Sequence, residues 1–138
     1  MLRRSNTRPH EGRELSLMLA GRKKLAVFCE ETPPEENIAR DAIPEQAYAP
    51  YVARGRIVRL ESDIWHAKMG RTVRYVCYTL PGSEWRAQTF FWIRREIMGG
   101  KRKSDPADDI IIARLMGYSA EEIEAFKRAF AGAARAVA

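Results

Sequence analysis

Two strand-like segments joined by a short loop constrain the fold of this chain more than any other feature of its sequence. In residues 56–66, apolar and polar side chains alternate, which is the pattern of a half-buried β-strand. Residues 72–80, TVRYVCYTL, are β-branched or aromatic on both faces, which predicts a more central strand. The intervening residues 66–71 include Gly70, so we expect a β-hairpin.

The segment that follows, residues 84–98, supports two interpretations. Pro81-Gly82 ends the second strand, and Ser83 has the position of a helix N-cap. Large apolar residues then recur at helical spacing, and Gly99-Gly100 follows as a stop. The competing interpretation is a third antiparallel strand over residues 84–93. We favour the helix.

Further patterns on both sides of this unit complete the expected architecture. Helices are predicted for residues 11–20, 43–55, 106–116 and 119–130. Pro50 interrupts the second of these, so we expect a kink or two short turns there. The apolar run LAVFC, residues 25–29, predicts a buried strand. The expected fold is α+β: a small, mostly antiparallel sheet of about three strands with helices packed on it, in the order α-β-α-β-β-α-α-α.

Two segments have no hydrophobic period. Residues 1–10 carry arginines among polar residues, which is typical of a flexible basic arm. Residues 30–42 are acidic and contain Pro33-Pro34, which predicts a solvated connector. The arm would precede a single α+β domain over residues 11–138.

Charge and composition narrow the class of protein. The net charge of +6 permits nucleic acid or another polyanion as partner. No apolar run approaches the roughly 20 residues of a membrane-spanning helix, and no secretory signal is apparent. We therefore expect a cytoplasmic protein without a membrane partner. Cys29 and Cys77 lie in apolar runs, which predicts free, buried thiols in a reducing compartment.

The C-terminal sequence IARLMGYSAEEIEAFKRAF, residues 112–130, resembles two helical motifs. Its two short helical patterns and Gly-containing turn have the spacing of a helix-turn-helix, and they are similar to the first two helices of a ubiquitin-associated-type domain. A recognition helix here would begin with Glu121, Glu122 and Glu124, which would repel phosphates. A helical hairpin that packs on the sheet is the favoured interpretation.

The sequence contains no catalytic signature. A nucleophile elbow, a P-loop and a Rossmann fingerprint are all missing, and the spacing of ligand-type residues supports no metal site or cofactor. His66 is the best candidate for acid–base chemistry because histidine titrates near neutrality. We interpret it as a surface loop residue, and His10 as part of the arm. A small enzyme that uses His66 and a nearby tyrosine is the third hypothesis for function.

Basic residues around the hairpin form the leading candidate site. They are Arg54, Arg56, Arg59, Arg71 and Arg74, together with the linker residues Lys101, Arg102 and Lys103. Trp65, with Tyr75 or Tyr78, could offer a stacking surface beside one patch. Arg56 and Arg71 begin antiparallel strands, so two separate patches are expected. The leading hypothesis is a non-enzymatic binding or accessory protein whose basic, aromatic-bearing surface takes an anionic partner, either nucleic acid or an acidic protein face.

The aromatic helix predicted for residues 84–98 supports a second hypothesis. A small protein–protein regulator or inhibitor could dock through this helix, with Phe91 or Trp92 exposed in the monomer and buried on binding. A homodimer remains open under this hypothesis.

Overall fold

The computed structural model describes residues 10–32, 43–125 and 127–128. Its elements are α1 Glu14–Leu19, β1 Leu25–Thr32, α2 Glu45–Ala53, β2 Val58–His66, β3 Arg71–Thr79, α3 Glu84–Met98 and α4 Pro106–Leu115. A fifth helix, α5, begins at residue 120 and is described through residues 120–125 and 127–128. The predicted α+β class and element order are confirmed. Most of the predicted arm, residues 33–42 of the connector, and residues 126 and 129–130 of the last predicted helix lie outside the described residues.

The described strands form one antiparallel sheet in the order β1-β3-β2. The central position of β3 agrees with its two-sided apolar sequence. Leu25 of β1 and Val58 of β2 both pair with Thr79 at one end of β3. His66 pairs with Arg71 at the other. We call these the Thr79 end and the Arg71 end of the sheet.

Helices pack on both faces of the sheet because strand β3 presents apolar side chains to each. On one face, which we call the α3 face, helices α3 and α4 bury a cluster that includes Phe90, Ile112, Leu115, Val73 and Cys77. On the opposite face, which we call the α2 face, α1 and α2 bury a second cluster that includes Met18, Tyr48, Ala26, Val76 and Tyr78. The sheet is thus the middle layer of the described fold.

The segment over residues 84–98 is a helix and not a strand. Its apolar residues Ala87, Phe90 and Ile93 face the sheet at helical spacing. Ser83 makes no side-chain cap, contrary to the prediction. The carboxylate of Glu84 instead accepts a hydrogen bond from the Gly82 backbone N–H at 2.6 Å. The turn is therefore stabilised by an acid at the positive end of the helix dipole.

Helix α2 is continuous through Pro50, so two separate short turns are not formed, and the alternative of a kink stays a prediction. Because proline has no backbone N–H, the Gln46 carbonyl receives no intrahelical hydrogen bond from position 50. Gln46 is exposed, so water can reach this carbonyl. Tyr48 on the same helix is buried, with its ring stacked on that of Tyr78 at a centroid distance of 3.9 Å. The α2 face therefore has an aromatic core.

The C-terminal helices begin as their sequences predict. Asp105 and Asp108 form a capping box at the start of α4. Ser119 and Glu122 make the equivalent reciprocal contacts at the start of α5, at 3.1 Å and 2.8 Å. Ile112 and Leu115 of α4 pack into the cluster on the α3 face. A helical hairpin against the sheet is thus a better description than an exposed recognition motif.

The two cysteines differ in their environment. Both are free thiols, and Cys77 on the central strand is buried, which raises its pKa to about 12. Cys29 is exposed because β1 is an edge strand, so the prediction of two buried thiols is half wrong. Within the described part of the chain, no helix has the length and apolar character needed to cross a membrane.

Candidate functional site

Arg74 lies in a group of carboxylates on the α2 face, near the Arg71 end. Its guanidinium is 3.3 Å from Asp63, and 3.8 Å from both Glu61 and Glu30. All of these side chains are partly exposed. This predicted anion-binding residue is therefore surrounded by acids from its own sheet.

Arg59 and Arg71 are also paired within the molecule. Arg59 is 2.5 Å from Glu45 and 3.3 Å from Glu61, while Arg71 contacts Glu31. Exposed ion pairs contribute only ~0–1 kcal/mol each, so these arginines can exchange partners. Their contact with an external anion stays a prediction. The α2 face, where Arg59 and Arg74 lie among carboxylates, carries both charge signs.

Trp65 on the same face is 55% exposed. The two tyrosines proposed to stack beside it are not available to a ligand, because Tyr75 and Tyr78 are buried. In the register, Tyr75 pairs with Cys29 and Ser62. Ser62 lies three residues before Trp65 on β2, and side chains an odd number of residues apart point to opposite faces of a strand, so Tyr75 also projects from the opposite face. Any stacking surface here consists of Trp65 alone among these residues.

The remaining predicted cations lie at opposite ends of the sheet. Arg54 and Arg56 are exposed near the Thr79 end, and the Arg56 guanidinium lies 5.9 Å from the Tyr51 ring centroid. The linker lies at the Arg71 end, because the Ala67 N–H donates to the Met98 carbonyl at 2.8 Å. The geometry thus gives two separate groups of cations, as the hairpin topology predicted.

Within the linker, Lys101 and Lys103 are exposed, but Arg102 has a structural role. Two of its nitrogens donate to Asp108, each at 2.8 Å. These bonds and the Asp105 backbone N–H lower the pKa of Asp108 to about 2. Arg102 therefore stabilises the capping box of α4.

A pocket at the Thr79 end is lined by cations that the sequence did not indicate as neighbours. Its cavity volume is about 310 Å³, and the residues lining it are Arg22, Lys24, Arg86, Arg114, Gly117 and Tyr118. None of these described lining residues is a carboxylate. Arg22 and Lys24 precede β1, Arg86 lies in the first turn of α3, and Arg114 lies in the last turn of α4. We call this site the basic pocket.

Arg86 connects the walls of the basic pocket. One of its terminal nitrogens donates to the carbonyls of Leu115 at 3.1 Å and Arg114 at 3.4 Å. A cation is favourable there because it meets the negative end of the α4 dipole. Its guanidinium carbon also lies 4.8 Å from the ring centroid of Trp85, which is 52% exposed. An exposed aromatic ring therefore adjoins the pocket.

A buried lysine holds the turn between α4 and α5 that forms one wall of the pocket. The Lys23 ammonium lies 2.9 Å from His10 Nδ1 and 2.5 Å from the Met116 carbonyl. His10 stacks on Tyr118 at 4.1 Å, so assigning this residue to a flexible arm is wrong. Burial lowers the pKa of Lys23 to about 8, and burial together with the Lys23 charge lowers the pKa of His10. Lys23 is a structural group.

His66 contacts a tyrosine, as the third hypothesis requires. Its Nε2 lies 3.0 Å from the Tyr75 hydroxyl. Both residues are buried, so the interpretation of His66 as a surface loop residue is wrong. Burial and the nearby charge of Arg94 lower the pKa of His66, and burial raises the pKa of Tyr75. Neither side chain lines the basic pocket, so the pair lacks access to a substrate there.

The proposed docking residues of α3 separate into one buried and one exposed position. Phe91 is buried in the cluster on the α3 face, whereas Trp92 is 59% exposed. Trp85 lies seven residues before Trp92, which places both rings on the same outward stripe of the helix. The exposed aromatic pair of α3 is thus Trp85 and Trp92.

Among the residues that the structure describes, no three histidine, cysteine or acidic side chains are arranged to hold a metal ion. Comparison of the chain with protein-family models, curated proteins and solved structures gives no match. A functional proposal therefore depends on the chemistry of the sites themselves.

Proposed function

We propose that this protein is a non-enzymatic binding protein for an anionic partner, and that the basic pocket is its binding site. The supporting observation is the set of four cations around one cavity whose described lining contains no carboxylate. Like charges held together repel one another, and an anion between them relieves this repulsion. The mixed-charge face around Arg74 has no comparable surplus of positive charge.

Nucleic acid is the anionic partner that this surface fits best. A phosphate group would receive charge-assisted hydrogen bonds from Arg22 or Arg114, and guanidinium groups suit such contacts. Trp85 is exposed beside Arg86, so a base next to the bound phosphate could stack on its ring. Cations combined with an exposed aromatic ring favour a single strand, whose bases are free to stack.

Charge reversal in the pocket should weaken binding of a labelled single-stranded oligonucleotide. In the double variant Arg22→Glu and Lys24→Glu, both changed side chains are exposed, so folding should be preserved. We expect affinity to fall by at least about tenfold and the slope of log affinity against log salt to decrease by about 2. Fluorescence anisotropy at low and physiological salt measures both quantities.

The matched control is Lys101→Glu with Lys103→Glu, which changes the net charge equally. These exposed lysines follow α3, about 20 Å along that helix from Arg86. The control should retain most of the affinity. An equal loss in both variants would assign binding to net charge alone and contradict the pocket as the site. Wild-type protein that binds no oligonucleotide even at low salt would contradict nucleic acid as the partner.

The exposed pair Trp85 and Trp92 favours a second candidate function, docking of α3 on a protein partner, of which a second copy of the chain is the simplest. Removing an exposed tryptophan from an interface typically costs 2 kcal/mol or more. We therefore expect Trp92→Arg to weaken self-association by about 30-fold in sedimentation velocity. Trp65→Arg is the control, because Trp65 is similarly exposed on the other side of the sheet. Monomeric wild-type protein at all concentrations would rule out the homodimer.

A further inference from the structure

A groove of about 1170 Å³ crosses the edge of the sheet at β1, and it is separate in character from the basic pocket. Its walls come from α1 and α2 on one side and from α4 and α5 on the other, with β1 between them. Its lining is largely apolar and includes Leu15, Val27, Phe28, Ile110, Met116 and Ile123. A cavity of this size and character is typical of sites for small organic ligands.

One arginine lies in this apolar lining without a hydrogen-bonding partner. Arg94 projects from α3 into the groove, and its Nε is buried with no hydrogen-bond partner among the described residues. Its guanidinium carbon lies 5.5 Å from the Phe90 ring centroid. Burying a charged donor without an acceptor is costly, so such a group indicates that an anion completes the site.

Other arginines near α3 donate hydrogen bonds within the molecule. Arg86 also has a buried Nε without a partner, but one of its terminal nitrogens donates to the Leu115 and Arg114 carbonyls. Arg95, the next residue of α3, donates to the Ser62 hydroxyl, and Arg102 donates to Asp108. Arg74 lies among carboxylates. The Arg94 charge acts instead on Cys29, where it offsets part of the rise in the thiol pKa that burial causes. Its positive field is therefore directed at the groove and the adjacent sheet residues.

We propose that the groove binds a small amphipathic molecule with an apolar body and a single carboxylate head, and that Arg94 donates hydrogen bonds to the head. The apolar body would lie along β1 and α4, where burial of each methylene contributes about 0.8 kcal/mol. The groove also contains Lys127 and four carboxylates, those of Glu11, Glu14, Asp109 and Glu122. The four acids outnumber the two cations, so the groove disfavours a polyanion such as nucleic acid, and a single charge has to lie at Arg94.

Three ligands with the same twelve-carbon chain and different heads test the proposal by isothermal titration calorimetry below their micelle concentrations. Dodecanoate carries an anionic head, dodecan-1-ol a neutral head and dodecyltrimethylammonium a cationic head. We expect dodecanoate to bind about 10- to 100-fold more tightly than the alcohol. The reason is that a hydrogen bond from Arg94 to a charged carboxylate in a desolvated site is stronger than one to a neutral hydroxyl. The cation should bind no more tightly than the alcohol.

Arg94→Met keeps an unbranched apolar side chain and removes the guanidinium with its charge. In this variant the affinity for dodecanoate should fall to that for the alcohol, while the affinity for the alcohol remains. Arg95→Met is the matched control, because Arg95 is the neighbouring cation on α3 and does not line the groove. It should leave the preference for dodecanoate intact.

Cys29 provides a second measurement on wild-type protein, which does not depend on whether the variants fold. Its exposed thiol lines the groove, whereas Cys77 is buried. Dodecanoate should therefore slow alkylation of Cys29 by iodoacetamide by at least about tenfold at saturation. Equal affinity for dodecanoate and the alcohol, a preference for the cation, or unchanged alkylation of Cys29 would each overturn the proposal.

Discussion

Replacing Tyr48 with alanine is expected to lower the free energy of unfolding by about 3–5 kcal/mol, the range found when large aromatic side chains are removed from protein cores. Tyr48 is 2% exposed and stacks on Tyr78. Its ring also meets the edge of Phe28 at a centroid distance of 5.9 Å. The substitution leaves a cavity between α2 and the sheet. Urea denaturation followed by circular dichroism measures the loss.

Tyr48→Phe is the matched control because it retains the ring and removes only the hydroxyl. Among the described residues, that hydroxyl has Met18 Sδ as its partner at 3.9 Å, and a thioether is a weak acceptor. The phenylalanine variant should therefore change stability by less than about 1 kcal/mol. If both variants lost the same stability, the hydroxyl and not the aromatic stack would hold α2 on the sheet.

Lys23 is expected to make the protein about 3 kcal/mol more stable as the pH rises through the interval between its folded and unfolded pKa values. The folded pKa is lowered to about 8 by burial, whereas an unfolded lysine titrates near its ordinary value of 10.5. Below pH 8 the side chain is charged in both states, and the folded state bears the cost of burying the charge. Above pH 8 the folded state releases the proton first, so rising pH favours folding.

The useful measurement is the difference in unfolding free energy between wild type and Lys23→Met, determined by guanidinium denaturation from pH 7 to pH 10. Other groups titrate in the same range and act in the opposite direction. Burial raises the pKa of Cys77 to about 12, so its contribution to stability decreases once the unfolded thiol ionises. Subtracting the Lys23→Met curve removes these shared contributions.

Lys24→Met provides the control for that experiment, since Lys24 is exposed next to Lys23. The free energy of unfolding of this variant should change with pH in parallel with that of the wild type. A difference between wild type and Lys23→Met that does not vary with pH would show that Lys23 is solvated, contrary to its burial. His10 contributes separately at acid pH, because its lowered pKa makes the protein less stable as the pH falls below about 6.5.

The local patterns of this sequence were sufficient to predict its elements. Alternation in residues 56–66 and the two-sided apolar run that follows predicted a half-buried strand and a more central strand, and the sheet confirms both. Asp105, Pro106 and Gly117 mark the ends of α4 as expected. These signals are reliable because hydrophobic period, capping and turn chemistry act over a few neighbouring residues.

The candidate sites were predicted less well, because they depend on which elements meet in space. Arg22, Arg86 and Arg114 are far apart in sequence and line one pocket. No local pattern joins them. Conversely, Arg59, Arg71 and Arg74 were recognised as candidate anion-binding residues, but the carboxylates opposite them come from other strands and from α2. The sequence alone identified these cations, but it did not show which carboxylates pair with them.

By itself, the sequence determined the α+β class, the order of the elements and the central position of β3, because these follow from short-range periodicity and turn residues. Only the tertiary structure decided the environment of individual side chains. It buried His10, Lys23 and His66, exposed Cys29, and left the Nε of Arg94 without a hydrogen-bond partner among the described residues, in a largely apolar groove. The physical reason is that burial and charge pairing are set by strand register and by the helices packed across the sheet, both of which are long-range contacts.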